Sequence, residues 1–165
     1  MSWRKMNKIH QERRALCKSF LYALHGIRFC VKNERNMRIH LAVAVLVTAF
    51  SLVYELTGTE YALLFLTMGA VLSAEAVNTA IEAVVNLESP SYNALARVAK
   101  DAAAGAVLLT ALAACGVGCC LFLHFPKLWE TLIRIGTTPW LLILFLALLG
   151  FGGWFAFRGG KLFRD

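Results

Sequence analysis

An all-helical, polytopic membrane fold is what this sequence predicts, and three observations carry the prediction. Of its 165 residues, 59% are hydrophobic and only 16% are charged, with a mean hydropathy of +0.62. The apolar residues are grouped into blocks long enough to cross a bilayer core, rather than dispersed as in a soluble domain. Ten of the seventeen basic residues fall within residues 1–38, beside the first such block. That placement follows the tendency of basic residues to stay on the cytoplasmic side and lean on anionic lipid. The net charge of +7 is therefore assigned to the membrane surface. No aromatic-and-basic recognition pattern is present, so a nucleic-acid partner is not expected.

The elements follow in order. Residues 7–34 mix polar and apolar groups at helical spacing, with Ile9, Leu16, Phe20, Ala23, Leu24, Ile27 and Val31 forming a stripe. This predicts an amphipathic helix lying at the membrane surface, with a break near Gly26. The first long apolar block starts only near Ile39, too late for a signal peptide, so the N-terminal segment is expected to be retained. Spans are predicted over residues 39–56, 61–86 and 98–122. Residues 55–60 make a short outer turn without a basic residue. The second span is longer than a bilayer needs, and its last turns should project into the cytoplasmic interface. Residues 87–94, with Pro90 between two serines, read as a loop. A connector with a short helix near Leu128–Ile135 leads to a fourth span over residues 140–157 and a basic tail. Trp140 and Trp154 suit its two interfaces. Four spans return the C-terminal end to the cytoplasm. The natural division is a unit over residues 1–124 followed by an appendage over residues 125–165.

The second span carries a feature that lipid does not favour. Glu75, Asn78, Glu82 and Asn86 share one helical face, with Thr79 beside them. Carboxylates and amides in an apolar helix are costly unless they face protein or a wet cleft. Such a ladder can glue helices together, bind a hard cation through oxygen, relay ions, or act as a general base. Two further polar groups lie at the same end. Lys100 and Asp101 open the third span, and a lysine there can neutralise phosphate oxygens. The run Ala102–Ala106 behind them permits close helix packing. The segment Asn33-Glu34-Arg35-Asn36-Met37-Arg38-Ile39-His40 precedes the first span, and Glu34 could reach Glu82 to complete a cation site. Arg35, Arg38 and His40 are expected to contact lipid headgroups or neutralise carboxylates. The five cysteines show no metal-ligand spacing and read as packing residues. There is no P-loop signature and no soluble-kinase catalytic loop.

These blocks resemble the prokaryotic diacylglycerol kinase family, including its undecaprenol kinase branch. The resemblance rests on Glu34–His40, then Glu75-Ala76-Val77-Asn78-Thr79-Ala80-Ile81-Glu82, then Ala99-Lys100-Asp101 with the small residues that follow. It covers residues 15–124. It implies a surface helix, three spans and a homotrimer with composite sites at the cytoplasmic interface. It also implies transfer of the γ-phosphoryl group of ATP to the hydroxyl of undecaprenol or diacylglycerol with magnesium. By motif, Glu75 would be the general base and Asn78 would orient the reacting groups. Glu34 and Glu82 would hold Mg2+ with the ATP phosphates, Lys100 would contact phosphate, and Asp101 and Asn86 would help fix the nucleotide. Asn86 and Asn93 depart from the aspartate and histidine common in the family, and the fourth span is an addition to its usual plan. The Glu34–His40 segment and the Ser89-Pro90-Ser91 loop look more like the undecaprenol or broad-specificity branch. The expected setting is a bacterial plasma or inner membrane. The readings from other classes are a small ion transporter using the intramembrane carboxylates, and a structural membrane subunit.

Overall fold

The computed structural model describes the backbone of residues 3–88 and 93–160, and the side chains of residues 14–87 and 93–160. The described elements are all helical: α1 (Trp3–Asn33), α2 (Arg35–Tyr54), α3 (Gly58–Glu88), α4 (Ala94–Phe122), α5 (Phe125–Thr137) and α6 (Pro139–Arg158). Four of them, α2, α3, α4 and α6, are long and apolar enough to cross a membrane. The chain is a polytopic membrane protein with α1 outside that set. The Ser89-Pro90-Ser91 loop, the tail from Lys161 and the side chain of Ile9 lie outside the described residues.

Each boundary has a local cause. Helix α1 runs unbroken through Gly26, contrary to the expected break. A lone glycine costs a helix only about 1 kcal/mol, which its neighbours absorb. The break comes instead at Glu34, whose backbone is extended (φ −100°, ψ 121°). Just before it, Asn33 Nδ2 donates to the Phe29 carbonyl at 2.9 Å, giving the last turn an acceptor-side closure. The first span then starts at Arg35, four residues ahead of the expected Ile39.

At the outer end, Glu55 closes α2 in the left-handed region (φ 61°), with its N–H donating to the Ser51 carbonyl at 2.9 Å. Helix α3 then starts at Gly58, earlier than the expected residue 61. The reason is a reciprocal capping box. Thr57 N–H donates to Glu60 Oε2 at 2.7 Å, and Glu60 N–H donates to Thr57 Oγ1 at 3.4 Å. Asn93 does the same service for α4, accepting from the amides of Leu95 and Ala96 at 2.9 and 3.4 Å. The expected connector helix is present and longer, filling Phe125–Thr137. It is pinned to the outer end of α2. Lys127 Nζ donates to the Glu55 carbonyl at 3.0 Å, and Arg134 Nη1 reaches Glu55 Oε1 at 3.0 Å.

The most extensive packing is between α3 and α4, followed by α2 against α6. Tyr54, Leu56, Leu64 and Leu121 form the buried outer cluster. Phe122 meets Tyr54 edge-on with ring centroids 5.2 Å apart. At the other end, α1 leaves Leu16, Phe20, Leu24 and Ile27 exposed. A helix with an unpacked apolar face and a basic opposite face belongs in the lipid interface. The basic α1 fixes this end of the bundle as cytoplasmic, and four spans bring the described end of α6 back to the same side.

Candidate active site

Depth along α3 sorts the ladder. Counting from Gly58 at the outer surface, Glu75 lies roughly 26 Å along the axis, Glu82 roughly 36 Å and Asn86 roughly 42 Å. A bilayer core is about 30 Å thick. Glu75 therefore sits at the inner edge of the hydrocarbon, while Glu82 and Asn86 stand among the headgroups and in water. The accessibilities agree: Glu75, Asn78 and Thr79 are buried, Glu82 is half-buried and Asn86 is exposed.

Glu75 is 1% exposed, and neither carboxylate oxygen has a hydrogen-bond partner among the described residues. The carbonyl oxygen of the Asn78 side chain is also unpartnered. Three buried, unsatisfied oxygens on successive turns are costly and call for a reason. They lie at a pocket of about 230 Å³ lined by Asn36, His40, Glu75, Asn78, Ala104, Val107, Leu108 and Ala111. Ala104 and Ala111 let α4 stand close while leaving room between the helices. His40 and Ala111 also line a second, apolar groove of about 340 Å³ with Val43, Met68, Val71 and Cys115. The polar pocket thus shares a wall with a groove at hydrocarbon depth.

One turn towards the cytoplasm, Asn78 Nδ2 donates to Glu82 Oε1 at 3.0 Å. That bond orients the Asn78 amide and leaves its oxygen facing the pocket. Glu34, at the α1–α2 break, approaches from the other side. Its carboxyl is held above the usual glutamate range, first by burial and then by the Glu82 carboxylate, against the opposing charge of Arg38. The Glu34 and Glu82 carboxylates are thus close enough to repel each other. Among the described residues no group of three histidine, cysteine, aspartate or glutamate side chains forms a closed metal site. Two carboxylates nevertheless fit Mg2+, which commonly takes one or two from protein and completes its shell with water and substrate phosphates.

The remaining expected residues divide. Lys100 crosses from α4 to α3, where Nζ donates to Asn86 Oδ1 at 2.6 Å. This bond gives Asn86 a partner on the neighbouring helix. An amide accepts the lysine bond without cancelling its charge, as a carboxylate would. Asp101 points elsewhere: it is 73% exposed and pairs with Arg97 at 3.7 Å, one turn back on the same helix. The structure does not bring it to the other site residues. Of the two expectations for Arg38, a headgroup contact or neutralising a carboxylate, the structure favours the second. Arg38 is buried and bonds to the carbonyls of Val31, Lys32 and Ala156, while still lying near enough to moderate Glu34. Arg35 stacks on Phe157. Asn36 and His40, one turn apart on α2, are the pocket residues that the spacing alone did not assign. Their signal was the i, i+4 offset on the helix that Glu34 precedes.

The comparisons with known proteins cover this assembly. The family model described as "Prokaryotic diacylglycerol kinase" matches residues 21–122. The undecaprenol kinase of Bacillus subtilis is 42% identical over 111 residues, spanning 67% of this chain and 89% of that protein. The diacylglycerol kinase of Synechocystis sp. is 45% identical over 106 residues, spanning 64% of this chain and 61% of that protein. No solved structure gives a significant match. The match takes in Glu34, the whole ladder and Lys100, and stops where α4 ends. With its four spans and cytoplasmic ends, this is a multi-pass protein of the bacterial plasma or inner membrane, and it belongs to the prokaryotic diacylglycerol kinase family.

Proposed function

We propose that the protein is an ATP-dependent lipid kinase that phosphorylates the hydroxyl of undecaprenol or diacylglycerol. The observation that carries this reading is Glu75. A buried carboxylate with both oxygens unpartnered stands where an apolar groove meets the cytoplasmic interface. A lipid alcohol has this same shape, an apolar body with one hydroxyl at the interface.

In the proposed reaction, a Glu75 oxygen accepts the hydroxyl proton as the alcohol oxygen bonds to the γ-phosphorus. The bond from that phosphorus to the β,γ-bridging oxygen breaks, and ADP leaves with the electron pair. The proton on Glu75 is then released to water. Asn78, held by Glu82, stands beside Glu75 at the pocket and orients the reacting groups there. Lys100 supports the phosphate oxygens as a positive point charge. Glu34 and Glu82 would hold Mg2+, which would supply charge neutralisation for the transferring group. Positioning and electrostatics of this kind are what phosphoryl transfer chiefly needs. Asp101 acts at the rim of the nucleotide site through its ion pair with Arg97. The kinase unit is residues 1–124, with residues 125–165 as an appendage. The working assembly is a homotrimer, in keeping with the resemblance.

The test is lipid-dependent transfer. The purified chain is given labelled ATP and magnesium with undecaprenol or diacylglycerol in detergent or lipid, and lipid phosphate is measured. Labelled product from at least one lipid is expected. No transfer to either by a folded protein would reject the reading and return weight to an ion relay.

A further inference from the structure

Resting on the kinase reading, we infer that the cytoplasmic end of the fourth span is a positioning element for Glu34. Glu34 is the lone extended residue between α1 and α2, and its side chain makes no capping bond. Its direction is therefore set by how the end of α1 and the start of α2 are held together. Arg38 holds them. Nη1 donates to the carbonyls of Val31 and Lys32 at 2.9 and 3.1 Å, the unsatisfied acceptors at the C-terminus of α1. Nε of the same guanidinium donates to the Ala156 carbonyl in the last turn of α6, at 3.4 Å. One buried cation thus caps two helix C-termini, where the helix dipoles also favour positive charge.

The end of α6 is shaped to accept this. A Cβ on Gly160 would lie 3.1 Å from the Lys32 carbonyl oxygen and 3.3 Å from Arg38 Nη1. A Cβ on Gly159 would lie 3.2 Å from Arg38 Cδ. Arg35 adds a second tie, its guanidinium carbon 4.3 Å from the centre of the Phe157 ring. Farther along, Gly152 brings α6 against Ala42 of α2, with an added Cβ at 3.4 Å from the alanine methyl. These contacts join residues 31–42, inside the family match, to residues 152–160, outside it. No residue of α6 lines the pocket of the Glu75 site. The helix acts through the hinge that aims Glu34.

The test uses the full chain in lipid nanodiscs. Gly160→Leu displaces the guanidinium, Gly160→Ala perturbs it by a single methyl, and Arg38→Met removes it. Backbone amide exchange is followed together with kinetics. In both Gly160 variants, exchange should rise within residues 30–38 while the α3–α4 pairing stays protected. The KM for magnesium-ATP should rise on the order of tenfold in Gly160→Leu, with kcat changing much less, as expected of a misaimed ligand rather than a lost base. Combining Gly160→Leu with Arg38→Met should add little to either alone, because both break one clamp. If Gly160→Leu does not fold, Gly160→Ala carries the test. Unchanged exchange at residues 30–38 would overturn the inference. So would raised exchange with an unchanged KM. A wild-type chain that phosphorylates neither lipid defeats the kinase reading instead, and the exchange pattern then decides the clamp by itself.

Discussion

Glu75 and Glu34 are both carboxylates of the candidate site, and the proposed reaction gives them opposite tasks. Among the described residues Glu75 has no hydrogen-bond partner, so its lone pairs are available to a proton. Glu75→Gln keeps the shape and removes the base. Turnover should fall by about 10²–10⁴-fold, the usual worth of general base catalysis, with assembly unchanged. Retained turnover would reject Glu75 as the base. Glu34 has a carboxyl raised by burial and by Glu82. The folded chain therefore holds its proton more tightly than the unfolded chain does. The stability from that proton is complete below the ordinary glutamate value and is lost as pH rises through the raised one. Cation binding runs the other way, because the ligand must be deprotonated. Apparent magnesium affinity should therefore weaken on acidification at a higher pH than for an ordinary glutamate. Magnesium titrations over pH would show this, and Glu34→Gln should remove the inflection. Glu75, Asn78, Glu82, Asn86 and Lys100 could be picked from sequence because helical spacing aligns the first four and Lys100 opens the next span at the same end. The Lys100–Asn86 bond could not, since it needs the register of α4 against α3. Nor could the burial of Arg38, whose acceptors lie up to 118 residues away.

At the level of elements, apolar length located the four spans, but their ends were decided by short polar signals. Thr57 with Glu60 and Asn93 with the following amides move the starts of α3 and α4 ahead of where hydropathy puts them. Both signatures are visible in sequence, as Thr-x-x-Glu and as asparagine before a helix, and outrank the hydropathy edge because unsatisfied helix amides are expensive. Asn93→Ala should cost about 1 kcal/mol and fray the first turn of α4. Lys100 sits two turns further in, so its hold on Asn86 should loosen as well. Faster amide exchange at residues 95–97, with weaker nucleotide use, would be the observation. Unaltered exchange there would deny the cap its role. Helix α5 was legible in outline from its spacing. Its docking was not, because Lys127 and Arg134 find their partner in Glu55, the left-handed residue that ends α2.

For the whole molecule, the distribution of basic residues already implied which side each end occupies. The packing adds that α6 lies on α2, while α3 and α4 form the other close pair. The topology yields a direct test in sealed right-side-out vesicles, in a background where the native cysteines are replaced. A cysteine at Thr57 should react with an impermeant maleimide from outside, and one at Asn93 only after the membrane is opened. The reverse pattern would invert the topology. The proposed homotrimer can be tested by native mass spectrometry from detergent, where a mass of three chains is expected and a monomer active at the same dilution would oppose it.

Helix α3 is 31 residues long, and all its reactive groups lie on a single rigid rod anchored by the Thr57–Glu60 cap. The rod therefore acts as a ruler. Bilayer thickness decides whether Glu75 meets a hydroxyl at the surface or lies drowned beneath it. Reconstituted into phosphatidylcholines of increasing acyl length, the protein should pass through an optimum and lose turnover in thick membranes, where the step from Glu75 to Glu82 is swallowed by hydrocarbon. A cell that changes its lipid chain lengths would then retune this kinase with no effector and no covalent mark.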